Sequence, residues 1–285
     1  MTLSGTGTQA DGSAPSLASY YERHMALVGG VAYAWRGQGR PASQRDGVRQ
    51  VGVGRDTCFA LLDDGRLLRW RDDPRQADLL MSGVAAFAAG ESGWFAIDAS
   101  RQLWHGGAAP RRVAADVVAA CIGDGADYYV RQDGRLWVTG LAHRGQYGDG
   151  RLAASPDFVG TASDAVAVKA HTGHAIYLRR DGMVLGTGGN RFGPLAAHGL
   201  GDKADRWGPI FDGARAIATG SRHSLAIRDD GSLWAWGEGF GIEPRQLRDA
   251  VLAAAAGDTA TLALSADGGL WQWERGGAPR RLALS

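Results

Sequence analysis

Short apolar runs alternate with polar turns along nearly the whole chain. The clearest copy reads Gly220-Ser221-Arg222-His223-Ser224-Leu225-Ala226-Ile227, then Asp230-Gly231-Ser232-Leu233-Trp234-Ala235-Trp236-Gly237. From its leading residue to the second turn residue the step is always 11: Gly54 to Gly65, Gly90 to Arg101, Gly123 to Gly134, His171 to Gly182, Gly220 to Gly231 and Gly257 to Gly268. A degenerate copy, Val28-Gly29-Gly30-Val31-Ala32-Tyr33-Ala34-Trp35, aligns with Asp229 through Trp236. Self-similarity of this kind marks a repeat architecture, here of seven units, and the uneven distance between copies places the length variation in the connections.

Within each unit the first run is apolar on both faces. Phe59, Phe95, Tyr128, Ile176, Leu225 and Leu262 share one position, and Leu61, Ile97, Val130, Leu178, Ile227 and Leu264 share the position two further on. Between them stands Ala60, Ala96, Tyr129, Tyr177, Ala226 or Ala263. Large residues on one side and mostly small ones on the other predict a strand whose sheet is packed between two neighbouring sheets. A second run, such as Leu136-Trp137 or Leu233-Trp234, completes a hairpin. Asp-Gly at 64–65, 133–134, 181–182, 230–231 and 267–268 predicts tight two-residue turns, and Gly29-Gly30 serves equally well. Ser100-Arg101 predicts a looser turn, because neither residue takes a left-handed conformation as cheaply as Gly.

A further apolar run precedes each leading residue, as in Phe87-Ala88-Ala89, and Pro41, Pro110, Pro244 and Pro279 mark an outer edge strand about a dozen residues earlier. The expected fold is therefore all-β, a seven-bladed β-propeller of four-stranded antiparallel blades. Residues 1–12 read as a flexible tail and 13–285 as the propeller. The final Pro279-Arg280-Arg281-Leu282 has no following unit, so the ring is expected to close by pairing of the N- and C-terminal segments.

Composition narrows the function classes. Gly at 44 of 285 fits many tight turns, and 45% hydrophobic residues fit a packed domain. A net charge of +1 argues against a nucleic-acid footprint. The chain has no membrane-length apolar run, and Met1 to Ser19 has no hydrophobic core, so a cytoplasmic monomer is expected. Cys58 and Cys121 fall in strands of different units and read as two buried free thiols.

His171 and His174 have HxxH spacing, but His174 occupies the repeat position of His223, which favours a structural role over metal binding. His174 and His223 are read as satisfying loop backbone groups inside their blades. The glycines of Gly186-Thr187-Gly188-Gly189 precede no helix that could receive a phosphate. No cofactor, metal or catalytic set is expected, and the protein is read as not an enzyme.

The phrases Gly220 to Ile227, Asp230 to Gly237 and Arg144-Gly145-Gln146-Tyr147-Gly148-Asp149-Gly150 resemble the regulator of chromosome condensation repeat family, over roughly residues 19 to 285. That resemblance implies a seven-bladed propeller whose loop faces bind other proteins. The family includes exchange factors for a small GTPase, and a similar bacterial propeller inhibits β-lactamase. The units here are short, and no long hairpin insertion for prising open a nucleotide site is identifiable. The expectation is a cytoplasmic inhibitor or immunity-type protein that binds a toxin or enzyme. The alternative is a guanine-nucleotide exchange factor-like or scaffold protein.

In a four-stranded antiparallel blade the first-to-second and third-to-fourth connections emerge on one side and the Asp-Gly turns on the other. The first side collects the expected partner-binding residues Arg55, Glu91, Trp94, Asp124, Arg144, Tyr147, Arg191, Phe192, Arg222 and Phe240. Arg and aromatic residues are the usual anchors of protein interfaces.

Overall fold

The computed structural model describes residues 16–91, 93–107, 109–198 and 201–285. Seven four-stranded antiparallel sheets follow one another along the chain, spanning residues 16–45, 48–81, 84–114, 117–162, 165–211, 214–248 and 251–282. They are blades one to seven. The described residues include one short 3-10 helix, Pro74–Gln76, in a connection of blade two. The expected tail, residues 1–12, lies outside the described residues.

The first strand of every blade faces a central channel with a cavity of about 240 Å³. The hairpin strands behind it alternate as the sequence pattern requires. Phe59 and Leu61 of blade two pack against Phe87 and Trp94 of blade three. Ala60, on the opposite face of the same strand, packs against blade one beside Met25 and Leu27. Each sheet is thus buried on both faces, and the core is a circle of apolar clusters, each shared by two successive blades.

Closure differs from the expected pairing of terminal segments. The outer strand Arg280–Leu282 pairs within blade seven, and the first strand Ser16–Tyr20 pairs within blade one. The gap between these blades is filled by an apolar cluster that joins Ala26 and Trp35 to Leu262, Leu270 and Leu282. Trp35 Nε1 donates to Gln272 Oε1 at 3.2 Å. The chain end adds a short backbone pairing on the edge of blade one: Ser43 N donates to Ser285 O at 3.0 Å, and Ser285 N to Pro41 O at 3.2 Å. Because every blade already has its four strands, the junction needs side-by-side packing and no exchanged strand.

The hairpin turns also differ from expectation. In blade two, Gly65 N donates to Leu62 O and Leu62 N to Arg66 O, so the turn spans Asp63, Asp64 and Gly65. Gly65 has φ +84° while neither Asp has positive φ. This is a type I turn closed by a glycine bulge. The Asp carboxylate instead caps the turn, as where Asp64 Oδ1 accepts from Arg66 N at 3.0 Å. Among the described turns that join second to third strands, only Gly29 and Gly30, at φ +58° and +75°, form a two-residue turn. Arg101 was expected to loosen its turn, yet it adopts φ +59° and donates to Asp98 O like its glycine counterparts. Asp98 holds this turn by accepting from Ser100 N, Gln102 N and Trp104 Nε1.

Candidate functional site

The leading residue of each repeat stands where the first strand leaves the channel, at the mouth shared by all blades. The space there accounts for the recurring glycine. A Cβ on Gly220 would lie 2.2 Å from Gly257 O, one on Gly257 2.3 Å from Ser19 Oγ, and one on Gly54 2.9 Å from Gly90 O. Blade five departs from this pattern with His171, whose ring stacks on Tyr20 from blade one, centroids 4.9 Å apart.

Tyr20 reaches across the mouth. Its hydroxyl meets Glu91 Oε2 at 2.8 Å and Asp124 Oδ1 at 2.7 Å, so blades three and four share one phenol. Burial first, then Asp124 and Glu91, raise this phenol far above its ordinary value and keep it protonated. Asp124 also accepts from Thr172 Oγ1 at 2.8 Å, and Asp258 accepts from Tyr21 N at 2.8 Å. Burial lowers the His171 pKa, against the opposing pull of Asp258.

Beside this plug a cleft of about 670 Å³ opens between the connections of blades four to seven. It gathers five of the residues expected from sequence: Asp124, Arg144, Arg191, Phe192 and Arg222. Phe192 is 39% exposed, with the Arg222 guanidinium 4.4 Å and the Arg191 guanidinium 5.8 Å from its ring centre. Arg222 is steadied by Glu238 at 3.1 Å. Arg55 and Glu91 lie on the same face outside the cleft, paired at 2.8 Å, with Arg55 5.3 Å from the Tyr21 ring.

The other three expected residues are internal. Trp94 is 4% exposed because it starts a hairpin strand and lies over Gly106, where a Cβ would come within 2.0 Å of the indole. Tyr147 is fully buried and ties its connection down, donating to Gly140 O at 2.8 Å and accepting from Ser155 N at 2.9 Å. Phe240 is 6% exposed and packs in the apolar cluster of blades six and seven, 5.4 Å from the His223 ring. All three aromatics anchor their connections to the core, leaving none for a partner.

Sequence reasoning missed Tyr20, which precedes the recognisable hairpins, and did not place Lys203 or Arg275 on this face. Both cations line the cleft. His171 carried the one available signal, since it replaces the leading glycine.

Below the mouth, buried histidines link blades rather than satisfying loop backbone. His174 Nε2 is 3.1 Å from Ser224 Oγ in the next blade, and His223 Nε2 is 2.9 Å from Thr261 Oγ1 one blade further. His24 Nδ1 meets Ser19 Oγ at 2.9 Å within blade one. Burial lowers their pKa values to about 3 for His174 and about 4 for His223 and His24. Cys58 and Cys121 are both buried and free, with burial raising both thiol pKa values.

Residues 214–240, the inner three strands of blade six, match the regulator of chromosome condensation (RCC1) repeat. The chain is 29% identical over 120 residues to the ultraviolet-B receptor UVR8 of Arabidopsis thaliana, a match covering 39% of this chain and 27% of that protein's length. Its fold is similar to that of Prp20p from Saccharomyces cerevisiae, with TM-score 0.71 at 15% identity over 87% of this chain and 81% of the other. The ectodomain of the Arabidopsis thaliana receptor kinase ACR4 is also similar, with TM-score 0.62 at 14% identity over 96% and 98% of the two chains. Prp20p is described with binding properties toward Gsp1p and histones. The chain thus has a seven-bladed propeller fold similar to that of Prp20p, and its sixth blade matches the RCC1 repeat.

Proposed function

We propose that this propeller is a non-enzymatic binding protein that holds a partner across the face bearing the Arg144, Arg191, Phe192 and Arg222 cleft. Its role is that of a cytoplasmic inhibitor of the immunity type, acting on a toxin or enzyme. The observation that carries the binding face is the exposed Phe192 ring with two guanidinium groups placed against it. An aromatic fixed in place before binding loses little freedom on association, which is what an interface anchor requires.

The opposite face supports the choice by contrast. Its turn arginines are matched to aspartates two residues away: Arg66 to Asp64 at 2.7 Å, Arg135 to Asp133 at 3.7 Å, and Arg179 to Asp181. Charges neutralised within the chain offer little to a partner. Buried free Cys58 and Cys121 support a reducing compartment.

A photoreactive side chain at 192, compared with one at 135, tests the face in extracts of the producing cells. Cross-linking of one protein from 192 alone is expected. Titration calorimetry with that protein should then show about 2 kcal/mol weaker binding for the Arg191→Ala/Phe192→Ala double variant and no change for Arg66→Ala/Arg135→Ala. Equal cross-linking from both positions would place the interface elsewhere. The resemblance to the regulator of chromosome condensation repeats, a family that includes exchange factors for a small GTPase, supports a second reading, exchange on a small GTPase. Faster nucleotide release from a captured GTPase would favour it over inhibition.

A further inference from the structure

We infer that the cleft receives an extended acidic segment of the partner carrying at least one large apolar side chain. The inference rests on the binding face proposed above and adds the chemistry of its occupant.

The partners already taken inside the cleft indicate the complementary group. Among its carboxylates, Asp124 is engaged by Tyr20 and Thr172, Asp258 by the Tyr21 backbone, and Glu238 by Arg222. Asp202 also lines the cleft. Against these stand Arg144, Arg191 and Arg275, which have no carboxylate partner among the described residues. Lys203 adds a fourth cation, bonded to the His143 carbonyl at 3.5 Å. The lining holds five cations and four carboxylates, but three of those carboxylates already accept donors from within the chain, whereas Arg144, Arg191, Arg275 and Lys203 have no carboxylate partner among the described residues. Cations spread along a cleft favour a chain of carboxylates and steer its approach.

Exposed apolar residues give the second requirement. Seven large hydrophobic side chains are exposed among the described residues, and four adjoin this cleft: Tyr21, Leu141, Phe192 and Ile242. Tyr21 and Phe192 line it. Leu141 lies against Gly125, next to Asp124, and Ile242 against Gly193, next to Phe192. A polyphosphate or nucleic-acid strand would use the guanidinium groups and leave these apolar surfaces unmatched. An acidic polypeptide with Leu or aromatic anchors uses both.

The test is selection from a phage-displayed library of random 12-residue peptides on the intact protein. Enriched clones are expected to be net negative with Leu, Phe or Trp among the acids. A synthesised clone should lose at least tenfold in affinity between 50 and 300 mM salt, because exposed ion pairs are screened over that range. The Arg144→Glu/Arg191→Glu/Arg275→Glu variant should lose at least tenfold, and Arg66→Glu/Arg135→Glu should bind as the parent does. All five positions are exposed, so thermal melting should confirm that both variants remain folded. Neutral or basic clones, absence of enrichment, or binding unaffected by the triple reversal would overturn the inference. If a partner cross-links from 192 while any of those results is obtained, only the acidic segment is lost. If cross-linking from 192 fails as well, the binding face itself is withdrawn.

Discussion

His174 Nε2 lies 3.1 Å from Ser224 Oγ, and Ser224 Oγ lies 2.9 Å from Pro194 O. The hydroxyl's one proton goes to the carbonyl, so His174 donates through Nε2 and is held as that tautomer. One buried bond thus joins blades five and six. Replacing either His174 or Ser224 by Ala should cost about 1 to 3 kcal/mol by urea unfolding, since a buried polar partner is left unpaired. The double variant should cost less than the two singles together; strict additivity would show that the link contributes no coupling.

Acid should weaken the fold over a defined window. His24, His174 and His223 have folded pKa values of about 4, 3 and 4, below their ordinary value of 6.5, because burial disfavours the cation. Above pH 6.5 the rings are neutral in both folded and unfolded chains, and full stability is retained. As pH falls below 6.5 the unfolded chain gains protons first, and stability is lost down to about pH 4. Urea midpoints from pH 8 to 4 should show this decline, and His174→Gln should make it shallower by up to about one proton.

Asp127 acts in the opposite sense. Burial raises its pKa from 3.8 to about 6, with an opposing hydrogen bond from the Gly123 backbone. The cost of holding the carboxylate is absent below pH 3.8, grows as pH rises, and is complete above about 6. Asp127→Asn should therefore stabilise the protein by about 1 to 3 kcal/mol at pH 8 and scarcely change it at pH 3.5. Equal effects at both pH values would rule out a titration origin.

Arg101 occupies the left-handed position that Gly fills in the equivalent turns of blades two and four to seven. Arg101→Gly should raise stability by about 1 kcal/mol through relief of that conformation. The substitution also removes an exposed contact between Arg101 and Gln132. A lower urea midpoint would mean that this contact outweighs the backbone strain.

Gly220→Ala should cost about 3 kcal/mol or prevent folding, because its Cβ would meet backbone oxygen of Gly257 at 2.2 Å. Gly29→Ala is the control. Nothing lies within 4 Å of its Cβ, so only φ +58° is unfavourable and about 1 kcal/mol is expected. Comparable losses by thermal melting would refute crowding at the mouth as the reason for the repeated glycine.

The repeat, the number of blades, the two-faced hairpin strands and the sides on which connections emerge were all legible in the sequence. Each follows from interactions among neighbouring residues: side chains alternate along a strand, and glycine opens a turn. The same local logic named Asp-Gly turns correctly by position, but it could not distinguish a two-residue turn from a three-residue one, which depends on how the flanking strands twist.

Burial of individual loop residues was decided only when the blades met. Trp94, Tyr147 and Phe240 have the composition of interface anchors, yet neighbouring strands and connections cover them. Tyr20 reads as an ordinary strand end until ring closure brings it to Glu91 and Asp124, 71 and 104 residues away in sequence. The cleft likewise draws Arg144, Arg191, Arg222 and Arg275 from four different blades. Periodicity determines what each blade is because strand and turn preferences are local. The distances between blades follow from packing seven twisted sheets around one axis, and those distances decide which loop residues meet at the mouth and which are buried beneath it.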